Sequence, residues 1–114
     1  MARAVLVVDD EAMVLEVVAS MLEDLGCEVT TAFNATDALA KLRNDDRIEV
    51  LITDINMPGM TGYQLAKAAA EMRHGLRVLM LSGRESDSHG FPMIRKPFMQ
   101  EDLLRVMKHT TGLC

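Results

Sequence analysis

Four places in this chain set a reactive polar side chain at the end of a strand-like run. Asp9 and Asp10 follow residues 4–8, Asp54 follows the run from Val50 to Thr53, Ser82 follows Val78-Leu79-Met80-Leu81, and Lys96 follows Met93-Ile94-Arg95. Singly, each is weak: an Asp pair there is usually a cap or a solvated turn, a Ser a turn residue, a Lys a surface charge. Jointly they carry more, because parallel strands end on one edge, and open α/β sheets bind ligands beyond that edge. Three carboxylates gathered there repel by about 4 kcal/mol per pair at ~4 Å with an effective dielectric near 20. A hard divalent cation relieves this, and Mg2+ suits oxygen ligands while keeping waters that a phosphate can displace. Three Asp at −3, Lys96 at +1 and the ion at +2 sum to zero, so the pocket could accept a dianionic phosphoryl group. Asp54 would then be the nucleophile, with Lys96 and Ser82 stabilising the phosphoryl oxygens and the ion offsetting charge in an in-line displacement.

The elements that must position these groups are legible in order. Residues 4–8 form a continuous apolar run, β-branched at three of five positions, as a strand covered on both faces requires. From Met13 the apolar residues fall at Met13, Val14, Val17, Val18, Met21, Leu22 and Leu25, the stripe of an amphipathic helix closed by Gly26. Residues 28–32 alternate and are more polar, as in an outer strand. Asn34, with Asp37 three residues on, predicts the cap of a second helix that buries Ala38, Leu39 and Leu42. After the strand ending at Asp54, residues 62–73 predict a third helix with Leu65, Ala66, Ala69 and Met72 inward, stopped by Gly75. Val78 to Leu81 is a fourth buried strand and Met93-Ile94-Arg95 a short fifth. Residues 100–108 predict a last helix that buries Leu103, Leu104 and Met107. Alternation of strands with helices implies a doubly wound parallel sheet of five strands, with right-handed crossovers and helices on both faces. Only residues 82–92 separate the last two strands, polar and without a stripe. That is near the crossover minimum of about 10–12 residues, so the fourth crossover helix is expected to be shortened or absent.

Composition bounds the rest. The 114 residues make one domain, 1–114, with 49% hydrophobic and 25% charged residues. Ten Met read as flexible core filler. The net charge of −5, with no block of Lys or Arg, argues against direct nucleic-acid binding. No apolar run is long enough to span a bilayer and residues 1–8 are too short for a signal peptide, so no membrane contact is expected and the location should be cytoplasmic. Cys27 and Cys114 lack metal or redox spacing, and His74, His89 and His109 are scattered, as surface residues would be.

The runs Val7-Val8-Asp9-Asp10-Glu11, Thr53-Asp54-Ile55-Asn56-Met57-Pro58-Gly59-Met60-Thr61-Gly62, Leu81-Ser82-Gly83 and Arg95-Lys96-Pro97-Phe98 resemble, jointly and in order, the receiver domains of two-component response regulators. The resemblance covers nearly the whole chain and implies a flavodoxin-like sheet of order 2-1-3-4-5. It implies that Asp54 is the phosphoacceptor, loaded in a His-Asp phosphorelay by a histidine kinase or a histidine phosphotransfer protein. It further implies that Asp10 ligates Mg2+ directly, Asp9 largely through water, and the Asn56 backbone carbonyl as well, together with Asp54. Ser82 and Lys96 would contact the phosphoryl oxygens, Asn56 and Arg84 would tune hydrolysis, and the bond to Pro97 would be cis. Such a domain is not an enzyme in isolation, although it promotes its own phosphorylation and dephosphorylation.

Two features depart from the family pattern. Three residues before the lysine, where an aromatic switch residue is usual, stands Met93, with Phe91 out of register. The short stretch from Ser82 to Met93 looks most like receivers attached to hybrid sensor kinases, the alternative being a stand-alone regulator. Other classes fit less well. A phosphatase with an aspartyl nucleophile wants a second acid where Asn56 stands, and a nucleotide-binding module wants glycines where Asp9-Asp10-Glu11 stands. A degenerate receiver that only binds partners is opposed by the intact acid pair, acceptor, hydroxyl and lysine. The oligomeric state is left open.

Overall fold

The computed structural model describes residues 3–83, 91–96 and 98–111. Five strands, β1 (Ala4–Val8), β2 (Glu28–Ala32), β3 (Ile48–Asp54), β4 (Arg77–Ser82) and β5 (Met93–Arg95), form one parallel sheet in the order β2-β1-β3-β4-β5. Four helices are described, α1 (Ala12–Asp24), α2 (Ala35–Asn44), α3 (Gly62–Met72) and α4 (Gln100–Thr111). This is the doubly wound, flavodoxin-like arrangement expected from the alternation. Between β4 and β5 no helix is seen among the described residues, while 84–90, which include Arg84 of the tuning assignment and His89, lie outside them. Pro97, and with it the expected cis bond, also lies outside them.

Period-two alternation along the strands sorts the core into two layers. Leu6, Val8, Leu51, Val78 and Met80 pack under α2 and α3, and Val5, Val7, Val50, Ile52, Leu79 and Leu81 pack against the α1 and α4 side. A strand buried on both faces has no polar position to spare, hence the unbroken apolar runs. Truncating a fully buried residue such as Leu51 to Ala would cost about 2–5 kcal/mol.

The helix faces need two corrections. Met13 and Val17 do not line the inner stripe of α1: they are 78% and 51% exposed, and the buried residues are Leu15, Val18 and Leu22. A helix can bury only one stripe about 100° wide, and the sheet lies under the 15-18-22 row. Similarly, Leu103 and Met107 are buried on α4 but Leu104 is only half-buried, because it faces the sheet edge beside the short β5. Methionine is core filler at Met57, Met80 and Met107, but not at Met13 or Met99.

Local signals fix the helix ends. The Asn34 side chain accepts from the Asp37 amide at 2.8 Å, the expected cap of α2. At α3 the pair Thr61 and Gln64 forms a reciprocal capping box, with Gln64 Oε1 accepting from the Thr61 amide at 2.9 Å. The chain reaches that cap through Gly59, whose φ of 81° lies where glycine is favoured. The first turn of α3 then lies directly on the end of β3. The Gly62 amide donates to the Ile55 carbonyl at 2.8 Å, and a Cβ on Gly62 would run into the Asp54 carbonyl oxygen and come within 2.8 Å of Ile55 Cα.

Backbone cannot move aside as a side chain can. Gly62→Ala should therefore destabilise the fold by about 1–3 kcal/mol, the usual cost of overpacking. Urea unfolding should show a lower midpoint at an unchanged slope. An unchanged midpoint would mean that β3 and α3 are not in contact at this point.

Candidate functional site

The sheet order brings the ends of β1 and β3 side by side, with Val8 opposite Thr53, and sets Leu81 of β4 opposite Asp54. Asp9 follows β1, buried throughout, and Asp54 ends β3, buried from Val50 onward, and the strand ends converge as the sequence predicts. One carboxylate oxygen from each of Asp9, Asp10 and Asp54 lies within 4.8 Å of the others. Asp9 is completely buried, Asp54 is 7% exposed, and Asp10 is exposed. Lys96 reaches in from beyond β5, its Nζ 3.2 Å from Asp9 Oδ2 and 3.2 Å from Asp54 Oδ1. Its own amide donates to the Ser82 carbonyl at 2.6 Å, so the lysine is anchored to the end of β4. Ser82 is fully buried, and Asn56 is exposed, in the loop that leaves β3.

Electrostatics follow from this packing. Burial pushes the Asp54 carboxyl above the ordinary carboxylate range, the Asp9 charge pushes the same way, and Lys96 opposes both. Burial works against the Lys96 charge, but the carboxylates of Asp54 and Asp9 outweigh it and hold the ammonium above its ordinary value. Unlike charges that face one another out of water interact far more strongly than on the surface.

The donor set fits a hard divalent ion. Mg2+ takes oxygen ligands at about 2.0–2.1 Å, and one carboxylate oxygen from each of three acids gathers within 4.8 Å of the others, with no competing soft ligand in the group. Asp9 has both oxygens engaged by the protein, Oδ1 accepting from the Glu11 amide at 2.9 Å and Oδ2 facing Lys96. Such an acid suits an ion approached through water better than direct ligation.

Three supporting features escape a reading for chemistry. The Thr61 and Gln64 capping box was visible as a Thr-x-x-Gln signature. The contact of Gly62 with Asp54 depends on how α3 returns over β3, which no local pattern specifies. Arg73 is the third: its guanidinium donates to the carbonyls of Asp45 at 2.7 Å and Ile48 at 2.9 Å, fastening the far end of α3 to the start of β3. Nothing in the sequence distinguishes it from a surface arginine.

Comparison with known proteins agrees with this geometry. The family model described as "Response regulator receiver domain" matches residues 5–108. Protein PilG of Pseudomonas aeruginosa is 32% identical over 91% of this chain and 84% of its own length. Hybrid signal transduction histidine kinase L of Dictyostelium discoideum is 38% identical over 59% of the chain, a match that takes in 4% of the kinase. Against three such curated relatives the chain spans 4%, 51% and 30% of their length. The chemotaxis protein CheY4 of Vibrio cholerae superposes with a TM-score of 0.89 at 33% identity, covering 96% of this chain and 99% of that one. With its acidic edge, its lysine and its sheet order in place, this chain belongs to the response regulator receiver domain family of two-component signalling.

Proposed function

We propose that Asp54 accepts a phosphoryl group from the phosphohistidine of a histidine kinase or phosphotransfer protein, with Mg2+ as cofactor, and that the acylphosphate changes the domain's interactions. The observation that carries this reading is the meeting of three Asp oxygens within 4.8 Å with a lysine that touches two of those carboxylates. In the transfer, an Asp54 oxygen forms a bond to phosphorus while the bond from phosphorus to the imidazole nitrogen breaks. The imidazole leaves with that electron pair and takes up a proton. Asp10 and Asp54, the Asn56 backbone carbonyl and, through water, Asp9 would hold the ion, which supplies charge neutralisation for the phosphoryl oxygens. Lys96 starts between Asp9 and Asp54 and can follow the incoming group onto one of its oxygens, with Ser82 contacting another. Asn56 and Arg84 would set the rate of hydrolysis.

We place the domain with receivers of hybrid sensor kinases, on the ten residues that separate Ser82 from Met93 and on the similarity to a hybrid kinase. A stand-alone regulator is the second reading, favoured by the coverage of PilG and CheY4. Among the described residues no helix is long and apolar enough to cross a membrane, which accords with a cytoplasmic domain. The net charge of −5 accords with protein rather than nucleic-acid partners. Sequencing the full gene product would separate the two readings by the presence of an upstream kinase module.

Incubation with a small phosphodonor and Mg2+ should add one phosphoryl group to the wild type and none to Asp54→Asn, as read by intact mass. Equal uptake by the variant would end this assignment.

The ion should also stabilise the unphosphorylated fold. A concentration ten times Kd contributes about 1.4 kcal/mol, a shift of several degrees in Tm for a domain of this size. Asp10→Asn should remove most of that shift and Asp9→Asn less. Because its folded pKa is raised, ionised Asp54 costs stability as pH climbs above the unfolded value of about 3.9. The Mg2+-dependent shift should therefore be small near pH ~4 and grow as pH rises and the ion offsets that cost. A shift independent of pH would place the ion elsewhere.

A further inference from the structure

We infer that α3 is the element that reads the state of Asp54, with its first turn displaced and its far end held by Arg73 as a pivot. The inference rests on the phosphoacceptor reading and goes beyond it. Asp54 and Ile55 meet α3 backbone to backbone. The Gly62 amide donates to the Ile55 carbonyl at 2.8 Å, and there is no space at Gly62 for even a Cβ against the Asp54 carbonyl and Ile55 Cα. The Thr53 hydroxyl holds the same Asp54 carbonyl at 2.9 Å. Such a contact has no rotamer that could absorb a shift, since close-packed interiors transmit strain. A phosphoryl group added to a carboxyl only 7% exposed, against Lys96 and Asp9, displaces the end of β3.

The first turn of α3 moves as a unit, because the reciprocal capping box of Thr61 and Gln64 closes residues 61–64 on one another. Its opposite end is fixed: Arg73 bonds the carbonyls of Asp45 and Ile48, the latter at the start of the same strand that ends in Asp54. Helix and strand are joined at both ends, so displacement at Gly62 becomes a tilt about Arg73. The route through β5 is weaker. Met93 stands opposite Met80 in a strand of three residues, and Phe91 precedes it, at the end of the strand away from Ser82.

Tyr63, in the displaced turn, is the only tyrosine in a chain without tryptophan, so its emission reports on that turn alone. The test compares the chain with and without beryllofluoride and Mg2+, following Tyr63 emission and amide exchange, with adduct formation read by 19F resonance. With the adduct formed, Tyr63 emission should change and the amides of Leu65 and Ala66 should exchange faster by about tenfold, while residues 70–73 stay unchanged. In Arg73→Gln the faster exchange should spread to residues 70–73. Adduct formation with unchanged exchange at residues 62–66 would overturn the inference while leaving the phosphoacceptor reading intact. Confinement of the change in Arg73→Gln would overturn the pivot. No adduct in the wild type, or the same adduct in Asp54→Asn, would overturn the phosphoacceptor reading and this inference with it.

Discussion

Two carboxylates held out of water against a single ammonium are the constraint on which the molecule depends. Asp9 and Asp54 are both buried, and burial together with the Asp9 charge disfavours ionised Asp54. Lys96 makes the pair tolerable, at 3.2 Å from each. Removing one partner of a buried charge group leaves the others uncompensated, which is costly. An acid kept under such electrostatic pressure gains from a cation that offsets its charge.

The scaffold exists to hold this pressure. β1 and β3 are neighbours because the sheet begins in its middle and is built outward, first to β2 and then to β4 and β5. The reversal sets the loops that leave β1 and β3 side by side at the strand ends, the general site of ligand binding in open α/β sheets. Fully buried strands make the floor of that site stiff, so the acids are presented at fixed separations. Lys96 lies in the loop beyond a strand of only three residues, yet the hydrogen bond its amide donates to the Ser82 carbonyl returns it to the rigid part of the sheet. Stiffness at the site and coupling through the β3 and α3 junction are two results of the same close packing.

Family resemblance and physical reasoning reach the same site by different routes. The motifs around Asp9, Asp54, Ser82 and Lys96 point to a receiver, while carboxylate repulsion and charge balance lead independently to a divalent ion and a phosphoryl group. They part at Met93, where the usual aromatic is replaced by a residue whose neighbour across the sheet is Met80. A flexible thioether carries no ring that could alternate between buried and exposed positions, which directs attention to the backbone contacts of α3 instead.

The sequence by itself determined the element order, the parallel sheet and the residues of the acidic edge, since these follow from runs, breaks and turn chemistry within short windows. The N-cap at Asn34 belongs to the same class, being a local hydrogen bond three residues long. Tertiary structure decided what depends on how distant elements come to rest. Which row of α1 faces the sheet, 15-18-22 rather than one including Met13 and Val17, was ambiguous because apolar residues occupy more of that helix than one face can bury. The double contact of Lys96, the occupation of both Asp9 oxygens and the clamp of Arg73 each join residues more than twenty positions apart or a backbone group to a folded turn. Gly62 is the clearest case: a glycine at a helix start has many ordinary explanations, and only the return of α3 onto the Asp54 carbonyl makes the missing side chain a necessity.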